Sequence, residues 1–292
     1  MTTYDRLVQR LLRVNQFPHT VKMGLRNSIA LHEALGSPAK HFDTIHIAGT
    51  NGKGSVSWKL AKALESSGFK TGLFVSPHVS CFRERIQVNG NLISEAQLED
   101  LLPTIFDKST QLAIPATFFE LTTALALQHF AREEVDCVVL ETGLGGRLDA
   151  TNIVTPVVSV ITSIGILGST LPEIAREKAG IIKPSVPVVC GPNTQPDVMR
   201  EGNETSVGAG VKAAIHGTLR QDEECTDLPR AAAAEKNSSD EEIVVVCGSV
   251  FIMAEARQAL GFNEPVDSDD VKRISGVGLK TAREREASLQ PK

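Results

Sequence analysis

The sequence predicts a doubly wound α/β fold with a mostly parallel sheet. Three observations carry this: apolar strand-like runs alternate with helix-like segments, one strand is apolar almost throughout, and a glycine-rich turn stands between a strand and a helix. Residues 43–48 (DTIHIA) read as the first strand and 49–54 as that turn. The segment 55–68 reads as a helix, with Val56, Leu60, Ala63 and Leu64 at helical spacing and Gly68 as its stop. Residues 71–75 (TGLFV) complete a βαβ unit. The helix over 94–110 opens with Ser94 and has Gln97 three positions later, the signature of a capping box. A second apolar helix covers 118–133. VDCVVLE (135–141) has the composition of a strand buried on both faces. Further strands are expected at 156–164 and 186–191, flanking a helix over 170–179 with Ser169 as its cap.

Beyond 192 the pattern changes. Residues 193–242, with the run AAAAEKNSSDEE, read as a linker or disordered segment. A strand, turn and helix are expected from 243 to about 261–265, and residues 266–292 read as a polar, frayed tail. The N-terminus, carrying Arg6, Arg10 and Arg13, reads as a short amphipathic helix without a secretory apolar core.

Composition excludes several classes of function. With 292 residues the chain is long enough for about two domains. A net charge of −5 gives no bulk electrostatic grip on nucleic acid or an anionic membrane, and 4% aromatic residues leave few stacking surfaces. No apolar run reaches the roughly 18 residues of a membrane span. Five cysteines, an odd number with no CxxC pair, fit a reducing compartment. Cytoplasm or mitochondrion is the expected location, and a monomer the expected state.

HIAGTNGKGSV (46–56) is the most informative segment. Its place between strand and helix is the context that a phosphate loop requires. Gly49, Gly52 and Gly54 let backbone N–H groups approach phosphate oxygens, and the helix N-terminus favours an anion. Thr50 and Asn51 complete the loop. Lys53 supplies a cation for terminal phosphates, and Ser55 a hydroxyl within reach of a phosphate-bound Mg²⁺. The spacing departs from the common P-loop, because Gly54 separates the lysine from the serine. A tight turn with an incidental Lys and Ser is the plainer alternative.

HIAGTNGKGS closely resembles the signature of the folylpolyglutamate and dihydrofolate synthases, members of the Mur ligase superfamily. Four further segments resemble the family in the same order: FVSPHVSCFRERIQVNG (74–90), TFFELTTALAL (117–127), VVLETGLGGRLDATN (138–152) and AREKAGIIKPSVPVV (175–189). The resemblance implies an ATP- and folate-binding domain over 1–192. Segment 243–265 would then be a remnant of a second α/β domain, most of which is missing. It implies an ATP-dependent ligase that adds L-glutamate to folate or dihydropteroate through an acyl phosphate, with ATP and Mg²⁺ as cofactors. The ATP-binding residues would be Gly49 to Ser55. Ser55, Ser76 and Glu141 would be the metal ligands. Arg83, Arg85, Phe118 and Phe119 would shape the folate pocket. Lys53 and Lys178 would be catalytic, the latter matching a lysine that the superfamily often carbamylates.

Each role has a plainer alternative: a turn serine at 76, a satisfied buried carboxylate at 141, core phenylalanines, solvated arginines and an exposed helical lysine. His46 and His129 are expected to be core or surface residues. Between Gly165 and Ile166 the family carries a short Asp-His insert that this chain lacks, and no Asp-Gly-Ala-His segment occurs between 192 and 242. A catalytically silent nucleotide- or folate-binding remnant is therefore the alternative function. An unrelated P-loop ATPase is disfavoured by the ordered motifs.

Overall fold

A computed structural model describes residues 1–14, 24–163, 171–191, 267, 268 and 271. The expected linker at 193–242 and the expected strand and helix of 243–265 lie outside the described residues, as does Ser169. In chain order the elements are α1 (Thr3–Arg13), α2 (Arg26–Ala34), β1 (Asp43–Ala48), α3 (Lys53–Ser66), β2 (Thr71–Phe74), β3 (Ile86–Val88), β4 (Asn91–Leu92), α4 (Glu95–Gln111), α5 (Phe118–Arg132), β5 (Cys137–Glu141), β6 (Val158–Ile161), α6 (Leu171–Ala179) and β7 (Val188–Cys190).

The seven strands form one sheet in the order β4-β3-β2-β5-β1-β6-β7. The five strands from β2 to β7 in that order pair in parallel, and β3 and β4 add an antiparallel edge. Side chains alternate between the two faces, as the strand period of two demands. Leu73, Val139, Ile47 and Val160 pack with Ala61 of α3 on one side. Phe74, Val138 and Leu140 pack with Leu121, Leu125 and Phe130 of α5 on the other, where α1 and α4 add Val8, Leu11, Leu98 and Leu102. All five residues of β5 are buried, which explains its unbroken apolar run.

Two pieces of this architecture were not anticipated from the sequence. Helix α2 buries only Ser28 and Leu31, so it shows little apolar periodicity. The hairpin β3–β4 turns through Asn89 and Gly90, with φ of 47° and 73°, the left-handed pair that a two-residue turn needs. The Asn-Gly dipeptide was the available signal for it. The expected frayed tail is corrected at its first residues: Asp267 is 3% exposed and Val271 is fully buried in the core shared by Tyr4, Phe82 and Phe118. Tyr4 and the Phe82 backbone offer the carboxylate hydrogen bonds, so ordering there is favoured over solvation. Among the described residues no helix is long and apolar enough to cross a membrane.

The capping box expected for α4 is present. Ser94 Oγ accepts from Gln97 N at 3.1 Å, and Gln97 Oε1 accepts from Ser94 N at 2.9 Å. Ser94→Ala should therefore lower stability by about 1 kcal/mol. Urea unfolding would read this as a lower midpoint at unchanged slope. An unchanged midpoint would show that solvent replaces the cap without cost.

Candidate functional site

The site gathers at the carboxyl ends of β1, β2, β5 and β6, the edge where open parallel sheets bind ligands. The loop after β1 is pinned to the end of β6. Thr50 N donates to Ser163 O at 2.8 Å and Asn51 N to Ser163 Oγ at 3.0 Å. Thr162 Oγ1 and Ser163 Oγ both donate to Asn51 O, at 2.7 and 3.0 Å. Gly49 lies so close to Thr162 that a Cβ there would collide with its Oγ1. Gly52 turns the chain into α3 at φ 79°, a left-handed conformation that suits glycine. No side chain caps the start of α3. The first-turn N–H groups at Lys53, Gly54 and Ser55 thus carry the orphan donors and positive end of a helix. Lys53 Nζ arches back to donate to Gly49 O at 3.1 Å.

Glu141, the last residue of β5, lies against this loop. It is 2% exposed, and its Oε2 accepts from Ser76 N at 3.0 Å. A Cβ on Gly54 would stand 3.6 and 3.8 Å from its two carboxylate oxygens. Burial pushes the carboxyl up to about 7, against the Ser76 N–H, Lys53 and Arg85, which favour the charged form. Ser76 and Glu141 therefore stand beside the loop after β1. Lys178 is 6% exposed, and burial followed by repulsion from Lys53 brings its amine down to about 8. This departs from the solvated helical lysine that was the plainer alternative.

The position of Lys178 comes from a laced loop. Asp149 accepts from Gly143 N and Leu144 N, both at 2.9 Å, and from Thr151 N and Oγ1 at 3.0 and 2.6 Å. Arg147 N donates to Glu177 O at 2.7 Å, and its guanidinium holds Glu177 Oε1 at 2.7 and 3.0 Å. Asn152 Nδ2 bridges Arg147 O and Gly180 O. The segment after β5 is thereby sewn to the end of α6. Sequence reasoning missed Asp149, Asn152, Thr162 and Ser163. Their signal was position alone, since they follow strands whose carboxyl ends face the loop. His46 is fully buried and its Nε2 bonds Thr151 Oγ1 at 2.8 Å, so it belongs to the core scaffold. His129 is 2% exposed, likewise in the core.

The loop between β2 and β3 carries the expected pocket residues. Glu84 caps it from within, accepting from Val79, Ser80 and Cys81 N at 2.7–2.8 Å. Arg85 is 7% exposed, donates from Nε to His78 Nδ1 at 2.8 Å, and lies 5.3 Å over the Phe118 ring. Burial lowers its guanidinium to about 10, while Glu141, Asp267 and Glu84 act in the opposite sense. Phe119 packs on Phe74 with ring centroids 5.8 Å apart, and its ring lies against Gly143. Arg85 thus joins the Glu141 side of the site, together with the two phenylalanines. Arg83 points elsewhere, donating to Ile93 O at 3.2 Å and facing Glu95 at 3.7 Å.

The donor set suits a hard divalent cation. Glu141 is a buried carboxylate that accepts from Ser76 N at the strand end, and Ser55 follows Gly54 in the loop that this carboxylate faces. Among the described residues no three His, Cys, Asp or Glu side chains converge as a metal cage. Carboxylate and hydroxyl oxygens are the ligand chemistry that a cation such as Mg²⁺ takes.

No family model matches the chain. The dihydrofolate synthase/folylpolyglutamate synthase of Bacillus subtilis is 45% identical over an alignment of 192 residues that covers 62% of this chain and 44% of that protein. Among solved structures, an FPGS–AMPPCP–folate complex has a TM-score of 0.64 and 37% identity, covering 75% of this chain and 53% of that one. The folylpolyglutamate synthase of Mycobacterium tuberculosis complexed with ADP has a TM-score of 0.63 and 33% identity, covering 76% and 50%. The chain spans about half the length of the curated relatives it matches.

Proposed function

We propose that this chain, similar over its matched residues to the folylpolyglutamate and dihydrofolate synthases, belongs with them and uses this site as the ATP- and folate-binding part of an ATP-dependent carbon–nitrogen ligase. The observation that carries the reading is that Glu141 accepts from Ser76 N while its carboxylate faces Gly54, 3.6 Å from where a Cβ there would stand, at the mouth of the pinned loop. It places a buried carboxylate beside a nest of backbone donors and a lysine, the arrangement that a metal–triphosphate needs.

Under this reading the N–H groups of residues 53–55 and Lys53 Nζ receive the terminal phosphates of ATP. Ser55, Ser76 and Glu141 hold Mg²⁺, which when bound neutralises phosphate charge. Arg85, over Phe118, faces the carboxylate of folate or dihydropteroate. Repulsion between that carboxylate and the triphosphate is the main barrier to their approach, and fixed cations remove it. The carboxylate oxygen attacks the γ-phosphorus and ADP leaves. The amine of L-glutamate then attacks the acyl carbon, phosphate leaves, and the amine loses a proton. Lys178, with an amine near 8, has an appreciable neutral fraction at physiological pH. Carbamylation needs that form: the nitrogen adds to CO₂ and releases a proton, giving a carboxylate-like group beside Lys53.

The test measures Mg²⁺-ATP and pteroate binding to the purified chain, together with ATP-dependent transfer of labelled glutamate to folate. Binding of both ligands is expected. Absence of Mg²⁺-ATP binding would overturn the reading. Binding of both without glutamate transfer would favour the silent binding remnant, a reading supported by the missing Asp-His insert.

A further inference from the structure

Asp267 lies 185 positions after Phe82 yet sits in the wall of the 76–85 loop. Its Oδ2 accepts from Phe82 N at 2.9 Å, and its Oδ1 accepts from Tyr4 Oη at 2.8 Å. Its own N–H donates to Ser80 O at 3.1 Å. Val271, four positions later, is fully buried among the core residues around Tyr4 and Phe82. A residue 3% exposed with three directed bonds, two from its carboxylate and one from its backbone N–H, is a constructed contact rather than a frayed end.

His78 stands between this carboxylate and the site. Its Nδ1 accepts from Arg85 Nε, so the neutral ring carries its hydrogen on Nε2. That Nε2 is buried without a hydrogen-bond partner, 3.9 Å from Asp267 Oδ2. The negative charge favours the Nε2–H tautomer, which leaves Nδ1 free to hold Arg85.

We propose that Asp267 is a positioning residue: its carboxylate fastens the 76–85 loop to α1 and orients His78, which holds Arg85 over Phe118. Glu84 stabilises the turn from within, and Asp267 fixes it to the rest of the domain. The importance of Arg85 to substrate rests on the function proposed above. The fastening does not.

The experiment uses the full chain with Asp267→Ala, Asp267→Asn and Tyr4→Phe, read by residue-resolved amide exchange and by ¹⁵N shifts of the His78 ring. In Asp267→Ala the Phe82 amide should exchange at least tenfold faster. Cys81, capped by Glu84, and the α5 amides should keep their protection. His78 should change from one tautomer to a mixture. Tyr4→Phe removes one bond to the carboxylate and should loosen Phe82 less. Should the alanine variant unfold, Asp267→Asn conserves volume and should still shift the His78 tautomer. Wild-type exchange at Phe82 with an unchanged His78 ring in the folded variants would overturn the proposal. A loosened loop with wild-type pteroate affinity would support the fastening and count against the substrate role of Arg85.

Discussion

Lys53→Ala should weaken Mg²⁺-ATP binding by about a hundredfold or more, near 3 kcal/mol. The lysine is the cation that the loop aims at its own mouth, held over the Gly49 carbonyl, with no carboxylate hydrogen-bonded to it among the described residues. Alanine leaves the helix N-terminus in place but removes a flexible positive charge that can follow a phosphate. Two titrations should report the loss without ligand. Lys53 repels the Lys178 ammonium and favours the Glu141 carboxylate, so the Lys178 amine should rise above about 8 and the Glu141 carboxyl above about 7. Thermal stability should change little, because Lys53 is only half-buried. Isothermal titration with an ATP analogue measures the first effect, and carboxyl and amine NMR titrations the second. Unchanged affinity would remove the loop from the nucleotide site.

The framework of the fold was legible because buried strands and the capped helix announce themselves in composition. β1 was expected at 43–48 and found at Asp43–Ala48, and α4 starts at the box that Ser94 and Gln97 predict. The glycine loop was legible for the same local reason. What was not legible was tertiary lacing. Asp149 reads as one polar residue among many in LGGRLDATN, and only the fold shows it collecting backbone donors after β5. Thr162 and Ser163 end a strand whose role depends on lying beside β1, which no local pattern states. Arg83 and Arg85 look equivalent in FRER, yet one faces Glu95 at the periphery and the other His78 and Phe118. Asp267 is the extreme case, since its partners are Tyr4 and Phe82.

Glu141→Gln should separate stability from function. In the ligand-free protein the Glu141 carboxyl is raised from 4.5 to about 7, chiefly by burial. An acid with a raised folded-state value destabilises the fold once the unfolded chain can ionise and the native one cannot. The sign follows: no cost below about 4.5, a growing cost between 4.5 and 7, and a plateau above 7 on the order of 3 kcal/mol. Glutamine cannot ionise, yet its side-chain oxygen can still accept from Ser76 N. The variant should therefore match the parent near pH 4.5 and be more stable by about 1–3 kcal/mol at pH 8. The same substitution removes the charge that would hold Mg²⁺, so Mg²⁺-dependent nucleotide affinity should fall by at least tenfold. In the parent that affinity should climb from pH 6 to pH 8 as the carboxyl ionises, and in the variant the climb should be lost. Urea unfolding at several pH values and Mg²⁺-ATP titrations over the same range measure both. A variant less stable than the parent at pH 8, with intact Mg²⁺-dependent binding, would make Glu141 a structural carboxylate and leave the metal to other ligands.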